Sequence, residues 1–298
     1  MCAMRAVLDE IHSQPRMWRR TAQLASASQR LLPSRGERVA AIGCGTSLYM
    51  AQAWAAAREA AGHGETDAFT PSEALPRHYD AVVAISRSGS TTEVCDYMSS
   101  QAGHARRLAV TGDPASAVVG LSDHAVLLDY ADERSPMQTR FATSALALLR
   151  AHIGVDIDAL AADAERALVE PLPVDPKAVR KVVLLGHGLG VGVAREAALK
   201  LEEAVGAWTE ALPSSEFRHG PNHAVGEGTV VWAFDPAPVG LAEMVEARGA
   251  TFVGPHYDPM VELVLAQRLA VALIEDKGLD PDGVLGGLRP AKSADNGD

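Results

Sequence analysis

Ser86, Ser88, Ser90 and Thr91 place four hydroxyls within six residues, around a single glycine, Gly89. They follow Val82–Ser86, an uncharged run rich in β-branched side chains. Behind them Thr92, Glu93 and Val94 read as the first turn of a helix. A buried parallel strand that feeds directly into a helix N-terminus leaves amide N–H groups free to bind an anion. The hydroxyls add donors, and Gly89 lets the backbone come close to a ligand. The chemistry these residues suit is phosphate binding. An ordinary N-capped serine turn is the plainer use of the same residue types.

A second group lies more than a hundred residues on. Glu196, Lys200 and Glu203 are spaced i, i+4, i+7, which puts all three in a narrow arc of one helix face. Spacing alone also fits a solvated, ion-paired face opposite Ala197, Leu201, Ala204 and Val205. The next segment, Ser214 to Pro221, ends in His219-Gly220-Pro221, and neither glycine nor proline continues a helix. A carboxylate beside a cation, with a histidine on a constrained loop, supplies a base and an acid near neutral pH.

The elements that must carry these residues alternate between strand and helix. Val39–Gly43, a short stretch at Phe69, Ala81–Ser86, Leu108–Thr111 and Ala125–Leu128 read as strands, with helices at about Leu48–Ala61 and Thr139–His152 and a turn at Ser135-Pro136. The first thirty or so residues show helical spacing, with Pro15 dividing them into two pieces. Prolines 171, 173 and 176 mark a linker. Beyond it Lys181–Leu185, a glycine loop and a helix over Val191–Ala207 repeat the opening pattern of Val39–Ala61. Further strands are expected at Val230–Phe234 and Thr251–Val253, and a long apolar helix at Met260–Ile274. Alternating strands and helices predict parallel sheets covered on both faces. The expected organisation is a helical segment over 1–35, a first α/β domain over 36–170 with the phosphate loop, and a shorter second domain over 171–298 with the charged helix, the histidine loop and a loose tail.

Bulk composition narrows the function. The 298 residues suffice for two cores, and 47% hydrophobic with 22% charged residues is an ordinary globular balance. A net charge of −11 offers no basic stripe for nucleic acid. Any phosphate must be held locally. Cys2, Cys44 and Cys95 give neither a disulfide framework nor metal-ligand spacing. The loop Gly186 to Gly192 lacks the G-x-G-x-x-G spacing of dinucleotide sites, so no cofactor and no metal are expected. No apolar run is long enough to span a membrane, and the N-terminus has no signal-peptide core. A cytoplasmic location is the expectation.

Several of these segments together resemble the sugar isomerase (SIS) domain family, in the two-domain form similar to the isomerase half of glucosamine-6-phosphate synthase. Glu10-Ile11-His12-Ser13-Gln14-Pro15 is similar to the family's E-I-x-x-Q-P, and Gly43-Cys44-Gly45-Thr46-Ser47 to its G-x-G-T-S. Ser86-Arg87-Ser88-Gly89-Ser90-Thr91 resembles its S-x-S-G-[ED]-T phosphate loop. The stretch from Glu196 to Glu203 resembles its E-x-A-L-K-x-K-E helix, and Glu216 to Pro221 its E-x-x-H-G-P turn. The resemblance implies two tandem SIS domains, each a flavodoxin-like three-layer sandwich. It implies that Gly45, Thr46, Ser47, Ser86, Arg87, Ser88 and Thr91 bind the phosphate and nearby sugar hydroxyls. Glu203 would be the base that moves a proton at C2 of the open-chain sugar, supported by Glu196 and Lys200. His219 would assist ring opening, in the family often from the neighbouring subunit, which implies a homodimer with the site near the interface. Lys292 stands where the family has a C-terminal lysine near the sugar carbonyl.

The chain also departs from the pattern. Ser90 replaces the acidic residue of the phosphate loop. After Phe234 comes Asp235-Pro236-Ala237-Pro238 rather than a second serine loop, so one phosphate site per chain is expected. The segment Leu288 to Ser293 differs from the family's N-L-x-K-S. No glutaminase domain accompanies these residues, so ammonia from glutamine is not expected. The resulting expectation is an enzyme acting on an amino-sugar 6-phosphate by ring opening and C2 proton abstraction, giving aldose–ketose isomerisation with or without deamination. The alternatives are a dehydratase or lyase that eliminates the 3-hydroxyl of an N-acetylated substrate, an isomerase of a neutral sugar phosphate, and a sugar-phosphate sensor without catalysis.

Overall fold

Alanine-rich helices can lie close on a sheet, and this chain uses them to press two sheets into one interior. The computed structural model describes residues 3–279 together with Val284. The first half runs α1 (Ala3–Ala27), β1 (Val39–Ile42), α2 (Thr46–Ala60), β2 (Thr66–Phe69), β3 (Ala81–Ser86), α3 (Thr92–Ser100), β4 (Arg106–Thr111), α4 (Ala117–Gly120), β5 (His124–Leu127), α5 (Arg140–His152) and α6 (Ile157–Ala167). The second runs β6 (Lys181–Gly186), α7 (Leu189–Val205), β7 (Trp208–Pro213), β8 (Thr229–Ala233), α8 (Leu241–Glu246), β9 (Thr251–Val253) and α9 (Pro259–Asp276). No helix among the described residues is long and apolar enough to cross a membrane.

Both sheets are wholly parallel. The first has the order β2-β1-β3-β4-β5 and the second β7-β6-β8-β9. Each begins with a strand, a glycine loop and a helix, then steps back across the first strand, so the sequence repeat is a repeat of topology. The loops match in backbone as well: Gly45 caps α2 at φ 55° and ψ −128°, and Gly188 caps α7 at φ 54° and ψ −119°. Neither conformation is open to a residue with a side chain without strain.

Alternate residues of each strand enter different cores, as the period of two requires. Val39, Ala41, Val83 and Ile85 from one sheet and Val182, Leu184, Val230 and Trp232 from the other share one continuous cluster, filled by α1, α2, α5, α6, α7 and α9. The opposite faces carry smaller clusters under α3 and α4 and under α8. At the centre α2 packs against α7. Gly192 permits this approach, since a Cβ there would lie 2.6 Å from Ala53 N and 2.7 Å from Tyr49 O.

One expectation is corrected. Pro15 does not divide the N-terminal helix; it lies inside α1. Proline cannot donate to the carbonyl four residues back, that of Ile11. Gln14 Nε2 donates to it instead, at 3.1 Å. The same amide donates to Gln267 Oε1 of α9 at 2.7 Å, and Gln14 Oε1 accepts from Thr143 Oγ1 of α5 at 2.8 Å. A single buried glutamine therefore compensates for the missing bond and joins three helices.

Candidate functional site

A parallel sheet in the order 2-1-3-4-5 opens a crevice at the carboxyl ends of β1 and β3, where the connections depart in opposite directions. In this chain the crevice is a cleft of about 620 Å³. Gly45, Thr46, Ser47, Ser86, Arg87, Ser88, Thr91 and Glu203 all line it. Residues drawn from three distant stretches of sequence thus meet at one place. Glu196 and Lys200 stand directly behind Glu203. His219 is exposed at the end of the 3-10 turn Glu216–His219 and does not line this cleft. Lys292 lies outside the described residues.

Two helix N-termini converge there. α2 starts at Thr46 and α3 at Thr92, and neither Gly45 nor Thr91 makes a side-chain cap bond. The Ser47 N–H donates to the Cys44 carbonyl at 3.2 Å, so the Thr91 hydroxyl, the Thr46 N–H and the first amides of α3 remain for a ligand. The loop between β3 and α3 is held by its own hydroxyls. Ser86 Oγ accepts the Gly89 N–H at 3.2 Å, and Ser88 Oγ accepts from Ser90 Oγ at 3.2 Å. Gly89, at φ 59°, passes so close to Ser116 that any Cβ would overlap it. The Arg87 guanidinium is partly spent inside the protein: it donates to the Glu133 carbonyl at 2.8 Å and lies 3.7 Å from Asp132.

The charged face of α7 is buried rather than solvated, which corrects the plainer reading of its spacing. Lys200 is fully buried and donates to Glu203 Oε2 at 2.6 Å and to Thr46 Oγ1 at 3.1 Å. Its ammonium is also 3.3 Å from Glu196 Oε1, and Thr46 Oγ1 donates to that oxygen at 3.1 Å. Burial alone would push the Lys200 ammonium down, but Glu196 and Glu203 outweigh it and hold the group above its ordinary value. Burial pushes the Glu196 carboxyl up to about 7, against the opposing pull of Lys200. Glu203 keeps 20% of its side chain exposed, toward the cleft. A carboxylate at the rim, with a fixed ammonium behind it, can accept a proton from a bound molecule.

The remaining wall, Glu133 to Gln138, is absent from the sequence-based site; the sequence marks Ser135-Pro136 only as a turn before a helix. Glu133, Arg134, Ser135, Pro136 and Gln138 line the cleft. Glu133 Oε1 accepts the Thr139 N–H at 2.5 Å, the Thr139 hydroxyl at 2.8 Å and the Arg140 N–H at 2.7 Å, which caps α5. Burial, reinforced by Glu10, pushes the Glu133 carboxyl up to about 7. No local pattern marks this segment, because its role arises only when α1 and β3 are brought beside it.

In the second half the equivalent position is filled by the chain itself. Ile42 pairs with Ala84 and Leu185 with Ala233, so Asp235 stands where the first half has Ser86. Asp235 Oδ2 accepts the His187 N–H at 2.8 Å, before the N-terminus of α7. A Cβ on Gly190 would overlap this carboxylate. Among the described residues no group of three or more His, Cys, Asp or Glu is placed to hold a metal ion.

No family model matches the chain. It is 25% identical over 329 residues to the isomerizing glutamine–fructose-6-phosphate aminotransferase of Methanothermobacter thermautotrophicus, a match that covers 93% of this chain and 55% of that one. The corresponding protein of Aeropyrum pernix is 28% identical over 293 residues, covering 84% and 47%. That of Tropheryma whipplei is 28% identical over 136 residues, covering 35% and 22%. The chain thus spans from 22% to 55% of the length of these curated relatives. Among solved structures, glucosamine-6-phosphate deaminase from Thermotoga maritima superposes with a TM-score of 0.79 at 22% identity, covering 93% of this chain and 96% of that one. The C-terminal domain of glucosamine-fructose-6-phosphate aminotransferase from Francisella tularensis gives 0.75 at 19% identity, covering 92% and 97%. Tagatose-6-phosphate ketose/aldose isomerase from Escherichia coli gives 0.74 at 20%, covering 92% and 94%. These structures share the fold. The resemblance carried by the motifs is borne out: the sequence relatives are isomerizing aminotransferases, and the structural neighbours include a phosphosugar isomerase and a deaminase.

Proposed function

We propose that this chain is a double-SIS enzyme that isomerises an amino-sugar 6-phosphate, with or without release of the amine. The observation that carries the reading is the position of Glu203, which lines the same cleft as the serine loop and is 2.6 Å from the buried Lys200. The phosphate occupies the cradle of Ser47, Ser86, Ser88 and Thr91, where hydroxyls and helix N-termini supply donors without a basic patch. One phosphate binds per chain, since Asp235 already fills the matching place in the second half. Held there, the opened sugar presents its C2 hydrogen to Glu203. The carboxylate takes that proton, and the same acid returns a proton at C1; with a free 2-amino group this gives a C2 imine, which water hydrolyses to the ketose phosphate and ammonia. Lys200 stabilises the anionic form of Glu203 before transfer, and Thr46 orients the ammonium from the other helix. His219, which does not line the cleft of its own chain, acts in ring opening from a second copy, so the active form is a homodimer.

The test is proton NMR in D₂O with mass spectrometry on purified protein given glucosamine 6-phosphate and N-acetylglucosamine 6-phosphate separately. A ketose phosphate from the first, with deuterium entering the carbon skeleton, is the expected outcome. Loss of water from the second would instead establish a dehydratase. Absence of exchange and product with either would leave a binding protein.

A further inference from the structure

A carboxyl from the opposite end of the chain stands behind the cleft wall. Glu10, on α1, is 3% exposed. Its Oε1 accepts two consecutive backbone N–H groups, those of Arg134 at 2.6 Å and Ser135 at 3.2 Å. A carboxylate that accepts two amides fixes their peptide planes. The chain uses this device again: Glu262 of α9 accepts the N–H groups of His256 at 2.6 Å and Tyr257 at 2.8 Å. Of the two, the Glu10 version holds a segment that lines the cleft.

What it holds is a cation without an internal partner. Arg134 lines the cleft and is exposed, and its guanidinium makes no hydrogen bond or ion pair with another described residue. Arg87, the other arginine of the cleft, is committed to the Glu133 carbonyl and Asp132. Of the cleft's two carboxylates, Glu133 accepts from Thr139 and Arg140, and Glu203 is paired through Oε2 with Lys200; neither forms an ion pair with Arg134. Among the described residues nothing in the cleft neutralises Arg134, in a chain whose net charge is −11.

We propose that Arg134 is the cation of the cleft that recognises the anionic group of the ligand, and that Glu10 is a positioning residue that presents it. The inference rests on the phosphosugar reading above, with the phosphate as the anionic group. A planar guanidinium forms paired bonds with phosphate oxygens, and its contribution to affinity depends on a fixed backbone origin.

The experiment is calorimetric binding of glucosamine 6-phosphate and of glucosamine to the full chain and to four variants: Arg134→Ala, Glu10→Ala, Glu10→Gln and the double Arg134→Ala/Glu10→Ala. Arg134→Ala is expected to weaken the phosphorylated ligand about tenfold or more and to leave the unphosphorylated one unchanged. Glu10→Ala is expected to reproduce that loss, and the double variant to be no worse than either single one, because both remove the same interaction. Glu10→Gln, which keeps the accepting oxygen, restores most of the affinity. Hydrogen exchange of the 133–138 segment, faster in Glu10→Ala than in Glu10→Gln, reads the positioning role separately from ligand binding. Wild-type affinity in Arg134→Ala would overturn the proposal while leaving the phosphosugar reading intact. Additive losses in the double variant would overturn the positioning role. Failure of the wild-type chain to bind glucosamine 6-phosphate would overturn both readings together.

Discussion

The Lys200 ammonium and the Glu203 carboxylate are 2.6 Å apart across the boundary between protein interior and cleft. Lys200 has no exposed surface, whereas Glu203 keeps 20% of its side chain in the open. The pair is therefore asymmetric: one partner is locked by Thr46 and Glu196, and the other is free to meet a ligand. That asymmetry leaves Glu203 able to exchange a proton with a ligand, as the proposed reaction requires.

Glu203→Gln keeps the shape and one donor–acceptor pair but removes the basic oxygen. Turnover is expected to fall by about 10²–10⁴-fold, the range of general-base removal, with the affinity for the sugar phosphate within a few-fold of wild type. Steady-state kinetics beside calorimetry measures both. Unchanged turnover would remove Glu203 from the mechanism.

Lys200→Met tests the other side of the pair. Methionine fills the space but leaves Glu196 buried beside Thr46 with no cation. Removing one partner of a buried ion pair costs about 3–5 kcal/mol, and urea unfolding of the variant should show a loss of that order. Adding Glu196→Gln to Lys200→Met should restore part of it, since the orphaned charge is then gone. A double variant as unstable as the single one would mean that the cost is one of packing.

For the serine loop, Ser86→Ala combined with Thr91→Ala deletes two hydroxyls that the cleft presents to an anion. Each hydrogen bond to a charged group contributes about 1.5–3 kcal/mol, so affinity for glucosamine 6-phosphate should fall by at least about a hundredfold. Glucosamine itself should bind the variant and the wild type alike. Equal losses for both ligands would place the phosphate elsewhere.

Gly192→Ala probes the contact that brings the two halves of the site together. Alanine gains up to about 1 kcal/mol in helix propensity over glycine. Against this, its Cβ would meet Ala53 N at 2.6 Å and Tyr49 O at 2.7 Å, and backbone atoms cannot turn aside as a flexible side chain can. Overpacking of that kind costs about 1–3 kcal/mol, so the net effect is expected to be destabilising. Gly120→Ala, where nothing lies within 4 Å of the added Cβ, is the matched control. Because Thr46 and Lys200 meet across the same helix pair, turnover should fall in Gly192→Ala and not in the control.

Much of this arrangement is legible in the sequence, for reasons that particular residues show. Ala81–Ser86 and Lys181–Gly186 are uncharged or nearly so over a strand's length, which only a sheet covered on both faces explains. The serine loop and the charged helix are each readable because their chemistry lies in consecutive or helically spaced positions. β7 escapes a sequence reading because Trp208–Pro213 is an edge strand of intermediate burial with a weak pattern. α6 is also missing from the expected elements, although Ile157, Leu160, Ala161 and Ala164 carry the helical period and Asp156 caps it; there the signal is present. Pro15 misleads because the compensating bond comes from the side chain of Gln14, which no propensity rule anticipates. The wall from Glu133 to Gln138 depends on Glu10, more than a hundred residues away, and such long-range support leaves no local trace.

The pH dependence of stability follows from Glu133. Burial first, and the neighbouring Glu10 second, push its carboxyl from 4.5 up to about 7, while Thr139 and Arg87 oppose the rise. Between those two values the folded chain retains a proton that the unfolded chain has already released. The folded state therefore binds more protons than the unfolded one, and stability falls as pH rises through this window. Each pH unit that separates the folded from the unfolded titration corresponds to about 1.4 kcal/mol. Glu196, also raised to about 7 by burial, slopes the same way. These two carboxyls favour pH 5 over pH 7.5, whereas His63, held below its ordinary value by burial and the nearby Arg35, slopes the other way. Glu133→Gln cannot titrate, and its amide oxygen can still accept from Thr139 and Arg140. Urea midpoints from pH 5 to 8 should accordingly decline less steeply in the variant, by the share that Glu133 contributes, with the Glu196 share remaining. Parallel curves for variant and wild type would show that Glu133 releases its proton below this range.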